Sequence, residues 1–375
     1  MKIPLKRLAL PLCALLAGWL AACGGSGAED ESAAPSEPPA LAYRVSLLAG
    51  VPGKPVSDTD PDPAACQDGP ALGVALHAAG LLARHPDGRL FFVQRGCGER
   101  ARIRAFDPQH GTVQTLAVGD EPLGSFIAPV ALAVGPDGAL YVADSDTFSA
   151  GLIVQGTRRG PGRGPGIWRL GPDGQMRAMA GVALNPSAGK EADGVGAQAS
   201  FGYIDSMCWG ADGLLYLIGG SRLRTMDMDG VVSTVDAPGV SHAAVGCGSD
   251  GAVLVHRSFS DGRASDYYDP IAQRAVGGMP LAGGTRPSLA YLNASSDPAV
   301  LGFDEQRRLM RWSLADGRAQ LLAHTLLLDS DVPDLGAEPP RIDLARAVVP
   351  HSGGEDFDLL TTGGLLRFAR SSAGN

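Results

Sequence analysis

The sequence predicts an all-β fold built from repeated hairpins, and three observations support this prediction. The 375 residues include 52 Gly and 28 Pro, which separate short apolar runs of β-strand length. Outside the N-terminal segment, no apolar pattern with the 3.6-residue period of a helix exceeds about ten residues. In addition, a unit containing two tight turns recurs along the chain.

The recurring unit begins with a tight Asp-Gly turn followed by an alternating apolar strand. Asp tolerates the backbone of such a turn and Gly supplies a positive φ, so Asp-Gly between apolar runs is a strong hairpin signal. A third strand and a second turn follow, as in RIRAFDPQHGTVQTLA and IWRLGPDGQMRAMA. Two hairpins in series make a four-stranded antiparallel unit. The turn and its strand occur at 85–93, 135–144, 210–220 and 248–256.

Four-stranded units of this kind protect their edges when they are arranged around an axis, as in a β-propeller. The predicted inner strands begin near residues 77, 127, 204, 242, 288 and 343, which gives six blades. The last blade contains only three strands, ending in GGLLRFAR at 363–370. The sequence therefore predicts that YRVSLLAG (Tyr43–Gly50) is its fourth strand and closes a propeller domain over residues 41–371.

Three segments carry a resemblance to a known repeat family. The family is the NHL repeat, and the segments that resemble it are LYVAD (140–144), RIRAFDP (102–108) and DGVGAQASFGYIDSMCWGADGLLYL (193–217). The resemblance is clear over residues 47–235 and weaker beyond them. It implies the same six-bladed, four-stranded architecture that the hairpin repeat predicts.

The N-terminal segment has the features of an export signal. An apolar run, Leu8–Leu20, follows three positive charges at Lys2, Lys6 and Arg7. The run of about 13 residues is too short for a membrane-spanning helix, which needs roughly 20. The sequence that follows, LAAC, resembles the lipobox of bacterial lipoproteins. This resemblance implies removal of residues 1–22 and acylation of Cys23, and several acyl chains on one residue give a stable membrane anchor.

Residues 23–40 are rich in Gly, Ser, Ala, Pro and Glu, and such a composition predicts a flexible tether. In the lipoproteins that the lipobox resembles, an Asp after the cysteine favours retention in the inner membrane. Gly24 occupies that position here. In a bacterium with two membranes, the resemblance therefore implies a lipid-anchored protein of the outer membrane that faces the periplasm.

The charge of the chain excludes one class of partner. The formal net charge is −9, and loss of the three positive charges of the signal makes the mature protein more negative still. Double-stranded nucleic acid requires a basic surface, so the sequence predicts no nucleic-acid partner. Besides the membrane, the expected partner is a protein, peptide or glycan of the cell envelope.

Propeller geometry places the loops after second and fourth strands on one face, the upper face. All three long insertions fall in this class, and loops on a rigid scaffold usually carry recognition. The upper face is therefore the predicted binding face. The insertions are Val51–Leu72, Asp144–Gly166 and Val182–Phe201.

Four cysteines remain in the mature chain besides Cys23, and an exported compartment permits disulfides. Cys66 and Cys97 both fall in upper loops of the first blade, so the sequence predicts a bridge between them. Cys208 and Cys247 fall late in the inner strands of adjacent blades. A second bridge is predicted as one alternative there, and two free thiols are the other.

The sequence contains no phosphate loop, no nucleophile elbow and no helix with paired histidines. The strongest candidate site groups polar residues at the starts of inner strands, around the upper mouth of the channel. A set of imidazoles and carboxylates can hold a divalent metal or act as acid and base. The alternative interpretation of the same residues is that they are hydrated polar groups lining a water-filled channel. These candidates are His77, Asp205, His242, Arg286 and Asp343.

Two functions of different class follow. The favoured one is a binding or scaffold module at the envelope that needs no cofactor. The alternative is a metal-dependent hydrolase or lyase, by similarity to six-bladed gluconolactonases and peptide-amidating lyases. His77 and His242 have no matching third histidine, so the sequence favours the binding module and assigns no catalytic or metal-binding residue.

Overall fold

The computed structural model of the chain describes much of the predicted propeller domain. The signal and the tether, which includes Cys23, lie outside the described residues. The same holds for four other residues of the sequence predictions: Cys66, Cys97, His77 and Arg286. The described residues are 43–51, 67–76, 79–94, 101–118, 128–144, 165–181, 191–235, 239–248, 250–261, 266–278, 288–293, 298–304, 306, 308–325, 333–337, 339–343, 345–351 and 356–371.

Short strands make up nearly all of the regular structure, with one 3-10 turn at Gly196–Gln198 among the described residues. The first strand, β1, is Tyr43–Gly50. The strands of the first three blades are β2 (Gly69–Pro70), β3 (Ala79–Arg84), β4 (Leu90–Gln94), β5 (Arg102–Asp107), β6 (Thr112–Val118), β7 (Pro129–Val134), β8 (Leu140–Asp144), β9 (Gly166–Leu170), β10 (Met176–Gly181), β11 (Gly194–Val195), β12 (Ile204–Trp209), β13 (Leu215–Gly219), β14 (Arg222–Met226) and β15 (Val231–Thr234).

The remaining strands form the last three blades. They are β16 (Val240–Cys247), β17 (Val253–Phe259), β18 (Asp266–Asp269), β19 (Arg274–Gly278), β20 (Ser288–Asn293), β21 (Ala299–Phe303), β22 (Leu309–Ser313), β23 (Ala319–Thr325), β24 (Arg341–Ile342), β25 (Ala345–Pro350), β26 (Phe357–Thr361) and β27 (Gly364–Arg370).

These strands form six sheets, each with four antiparallel strands, and three of the sheets carry a short fifth strand. The first strands of the sheets are β3, β7, β12, β16, β20 and β25, and each contacts the next around a complete circle. The fold is a six-bladed β-propeller. The predicted fold class is confirmed, and the predicted inner-strand starts lie within two residues of the observed ones.

The ring is closed by the two ends of the domain, as the sequence predicts. Strand β1 pairs antiparallel with β27, from Tyr43 opposite Arg370 to Gly50 opposite Gly364. The Tyr43 ring lies 5.4 Å from the ring of Phe357 and 6.0 Å from that of Phe368. The fourth strand of the last blade therefore comes from the start of the domain.

The core is divided among the blade interfaces. Six clusters of buried apolar residues occur, and each joins two neighbouring blades. Trp168 packs between the first and second blades and Trp312 between the fourth and fifth. Because each blade buries apolar surface on both sides, every blade depends on its neighbours for stability.

Three blades carry a fifth, two-residue strand that the sequence pattern does not predict. Strand β2 pairs with β6 and β11 with β15, both antiparallel, while β24 runs parallel to β23. A two-residue strand is too short to show a period-two pattern, so periodicity gives no signal for it.

A buried arginine holds the fifth strand of the first blade. Arg104 is fully buried, and its guanidinium donates to Gln94 Oε1 at 2.7 Å, to the Gln67 carbonyl oxygen at 2.9 Å and to Asp68 at 3.3 Å. Asp68 also accepts hydrogen bonds from the backbone N–H and hydroxyl of Thr115. The cation is thus compensated by a carboxylate and by backbone and amide oxygens.

The third blade repeats this arrangement. Arg224 donates to the carbonyl oxygens of Ser200 and Ala192 at 2.7 and 2.6 Å and to Asp193 at 2.8 Å. Asp193 accepts from Thr234 as Asp68 does from Thr115. The repeat is visible in the sequence as an Asp-Gly pair followed later by RIR or RLR, although neither arginine was predicted to be buried.

Cys208 and Cys247 form a disulfide with a Cα–Cα distance of 5.7 Å. It joins the lower ends of β12 and β16, the inner strands of the third and fourth blades. Of the two alternatives that the sequence left open at this pair, the structure has the bridge. The predicted Cys66–Cys97 bridge falls outside the described residues.

Among the described residues, no helix has the length and hydropathy that crossing a membrane requires.

Candidate functional site

A cavity of about 800 Å³ occupies the central channel. This volume lies within the range of roughly 300–1,000 Å³ that is typical of small-molecule sites. The wall is formed by residues of five inner strands and their lower turns: 81–86, 130–134, 205–209, 243–248 and 346–350.

Each of the six inner strands contains a β-bulge in its first half, where it pairs with the second strand of its blade. A bulge places one extra residue in the ladder and turns its side chain in a new direction. The bulges form one level near the upper face, because all inner strands run from the upper face to the lower face. We call these positions the bulge ring: Leu81, Val130, Asp205, Ala243, Ala290 and Arg346.

The bulge ring carries two opposite charges. Asp205 is in the third blade and Arg346 in the sixth, so three blades separate them in either direction around the ring. Both side chains are exposed, and both residues contribute to the cavity wall. Leu81, Val130 and Ala243 also contribute to the wall. The charges therefore face the channel from opposite sides, with apolar residues between them.

Neither charge has a hydrogen-bond or ion-pair partner within the described part of the chain. Although the side chain is exposed, partial desolvation by the channel raises the pKa of the Asp205 carboxyl above its ordinary value. Other charged side chains of the propeller are paired: Asp137 accepts a hydrogen bond from Arg169, and Asp266 accepts one from Arg257, each at 2.7 Å.

Among the described residues, the structure places one predicted site residue, Asp205, in the cavity wall. His242 is 6% exposed and precedes Ala243, the first wall residue of β16, whereas Asp343 is half-buried in the turn before β25. His77 and Arg286 lie outside the described residues. Within the described ranges, no group of three or more His, Cys, Asp or Glu residues lies close enough to hold a metal ion.

Arg346 was not among the predicted site residues. The predicted strand start near residue 343 makes Asp343 the expected channel-facing residue. In the structure the bulge lies at Arg346, and this residue faces the channel instead. No feature of the one-dimensional pattern marks such a bulge. The equivalence of Asp205 and Arg346 is seen only when the registers of the strands are known.

The lower end of the channel carries a second polar cluster. Asp358 of β26 is 0% exposed and binds Arg84 of β3, His351 Nε2 at 2.8 Å and Arg367 Nε at 3.0 Å. Burial alone raises the pKa of Asp358, but hydrogen bonds from His351 and Arg367 outweigh it and hold the pKa below its ordinary value. Since Arg84 belongs to the first blade and Asp358 to the last, this cluster reinforces the junction that β1 closes.

Solved structures with the same fold were found. An auxiliary nutrient binding protein from Bacteroides thetaiotaomicron VPI-5482 is 12% identical, with a TM-score of 0.53 over 87% of this chain and 76% of that one. A protein with the same description from Bacteroides ovatus ATCC 8483 is 11% identical, with a TM-score of 0.53 over 88% and 77%.

A protein of unknown function from Bacteroides thetaiotaomicron VPI-5482 is 12% identical, with a TM-score of 0.54 over 88% of this chain and 76% of that one. At these identities the similarity establishes the fold alone. No protein-family model and no curated protein matches the sequence.

Proposed function

We propose that the chain is an exported lipoprotein whose NHL-like propeller binds a ligand at the upper end of its central channel. The observation that carries the proposal is the bulge ring, in which Asp205 and Arg346 face a cavity of about 800 Å³ without partners among the described residues. A preformed, mostly apolar cavity with a few converging polar groups is typical of a ligand site.

Two further observations support a binding role. The ring belongs to a scaffold that is reinforced at two opposite junctions, by the Cys208–Cys247 disulfide and by the Asp358 cluster. A rigid scaffold lowers the entropic cost of holding binding groups in place. Among the proteins that share the fold, two are described as auxiliary nutrient binding proteins. The expected ligand is a peptide, a glycan or part of an envelope protein.

The anchor is tested by replacing the acylated residue. In a bacterium with two membranes, the wild-type protein is expected in the outer-membrane fraction, because Cys23 carries every acyl chain. The Cys23→Ala variant is expected in the soluble periplasmic fraction. Recovery of this variant in the membrane fraction, or a mature N-terminus other than residue 23 in the wild type, would contradict the lipoprotein assignment.

The binding site is tested by filling the bulge ring. Ala243→Trp places a large ring in the channel, whereas Ala178→Trp places the same side chain at an exposed position of the outer strand β10. Thermal shifts are measured for soluble Cys23→Ala protein against a panel of short peptides and oligosaccharides. We expect ligands that stabilise the parent and Ala178→Trp to have no effect on Ala243→Trp. Equal shifts in all three proteins would place binding outside the channel.

A further inference from the structure

We infer that the bulge ring binds short peptides with free termini, with the peptide ammonium at Asp205 and the peptide carboxylate at Arg346. This inference rests on the proposed binding role of the channel and adds the chemical class of the ligand. It follows from the signs of the two charges, their opposite positions and the residues between them.

The signs of the charges select the class of ligand. A polyanion would be attracted by Arg346 and repelled by Asp205, and a polycation would meet the reverse situation. A neutral glycan that displaced water from both side chains would leave two charges without ionic partners, which is costly. A ligand with one positive and one negative group compensates both, so charge complementarity favours a zwitterion.

The spacing of the charges distinguishes a peptide from a free amino acid. Asp205 and Arg346 lie three blades apart across the channel and form no ion pair with each other. A free amino acid holds its ammonium and its carboxylate on one α-carbon, so a peptide, whose termini lie further apart, suits charges on opposite walls better. A peptide separates its termini by about 3.3–3.6 Å for each extended residue, so a chain of a few residues bridges the ring.

The remaining wall residues suit the body of such a peptide. Leu81, Val130 and Ala243 offer apolar surface between the charges, where small or aliphatic side chains pack. Leu81 has a φ of 54°, a left-handed conformation that is unusual for a residue with a Cβ. Strained backbone of this kind is concentrated at ligand sites, where the surrounding structure holds it in place.

The inference is tested with alanine peptides and soluble Cys23→Ala protein. Titration calorimetry is performed with trialanine, N-acetyl-trialanine and trialanine amide, and with dialanine to pentaalanine to find the best length. A charge-assisted hydrogen bond contributes about 1.5–3 kcal/mol, so blocking either terminus is expected to weaken binding roughly 10- to 100-fold. Alanine itself is expected not to compete.

Substitutions assign each terminus to its residue. In Asp205→Asn, trialanine and N-acetyl-trialanine are expected to bind with equal affinity, because the site no longer distinguishes a free ammonium. In Arg346→Gln, trialanine and its amide are expected to become equal in the same way. Asp229→Asn and Arg177→Gln change exposed charges away from the channel and serve as controls with wild-type affinities.

A charge exchange separates recognition from folding. Asp205→Arg combined with Arg346→Asp is expected to recover trialanine binding to within a few-fold, with the peptide reversed. Melting temperatures accompany every titration. Because Asp205 is exposed and makes no hydrogen bond or ion pair within the described part of the chain, Asp205→Asn is expected to keep a melting temperature close to that of the parent.

Two results would overturn the inference. One is equal binding of free and blocked peptides to the parent protein, or an unchanged preference for free termini in Asp205→Asn and Arg346→Gln. The other is the failure of every alanine peptide to bind the parent. In either case the thermal-shift measurements with Ala243→Trp still test the proposed function. An oligosaccharide that stabilises the parent protein but not Ala243→Trp would support the channel as a binding site.

Discussion

Deleting β1 is expected to abolish the folded monomer. A soluble chain that starts at residue 52 lacks the strand that pairs with β27 along its whole length. It also loses the buried side chains of Tyr43 and Ala49 and leaves β27 as an exposed edge, which promotes aggregation. Size-exclusion chromatography and near-ultraviolet circular dichroism are expected to show aggregated protein without fixed tertiary packing.

The matched control starts at residue 41 and removes only the tether. It is expected to melt at the same temperature as the chain starting at residue 24. Tyr43→Ala gives a graded version of the test in a complete strand, and we expect a loss of about 3–5 kcal/mol in the free energy of unfolding. A cooperative transition at the parent temperature in the chain starting at residue 52 would show that β1 does not close the ring.

Asp358→Asn is expected to cost about 3–5 kcal/mol of unfolding free energy, the range found when one partner of a buried ion pair is removed. The substitution keeps the shape of the side chain but removes the charge that compensates Arg84 and Arg367. Urea denaturation measures the loss. Asp229→Asn, at an exposed turn, is the control and is expected to change stability by less than about 0.5 kcal/mol.

The same variant has a predicted pH dependence. Because the pKa of Asp358 is lower in the folded protein than in the unfolded chain, its contribution is complete above the ordinary Asp pKa of about 3.9. The contribution is lost as the pH falls through the lower folded value. The stability difference between wild type and Asp358→Asn is therefore expected to shrink as the pH falls below about 4. A difference that stays the same below about pH 4, where the unfolded carboxyl is protonated, would contradict the assigned ion pairs.

The sequence predicted the blade count and the closure because both depend on local chemistry. Asp-Gly turns specify hairpins within a few residues of chain, and their recurrence defines the blades. The closing strand was identifiable because the last blade lacked one strand and Tyr43–Gly50 has the pattern of a fourth strand. The same alignment placed Cys208 and Cys247 at adjacent inner strands, although it did not decide whether they were bridged.

The site could be predicted only in part, for two physical reasons. A bulge changes which residue faces the channel without changing the apolar pattern, so Asp205 was found while Arg346 was missed. The partners of buried charges are also remote in sequence: Arg84 and Asp358 are 274 residues apart. Their contact follows from the closure of the ring, and no short-range pattern indicates it.

Amide hydrogen exchange of the wild-type protein tests most directly the central claim that the two ends of the domain close one ring. The structure predicts that the amides within Val45–Ala49 that donate to β27 are protected as strongly as those of Leu365–Phe368, and that both sets exchange together on global unfolding. Rapid exchange of every amide in Val45–Ala49 beside a protected Leu365–Phe368 would contradict the closed ring and the arrangement of the bulge ring that depends on it.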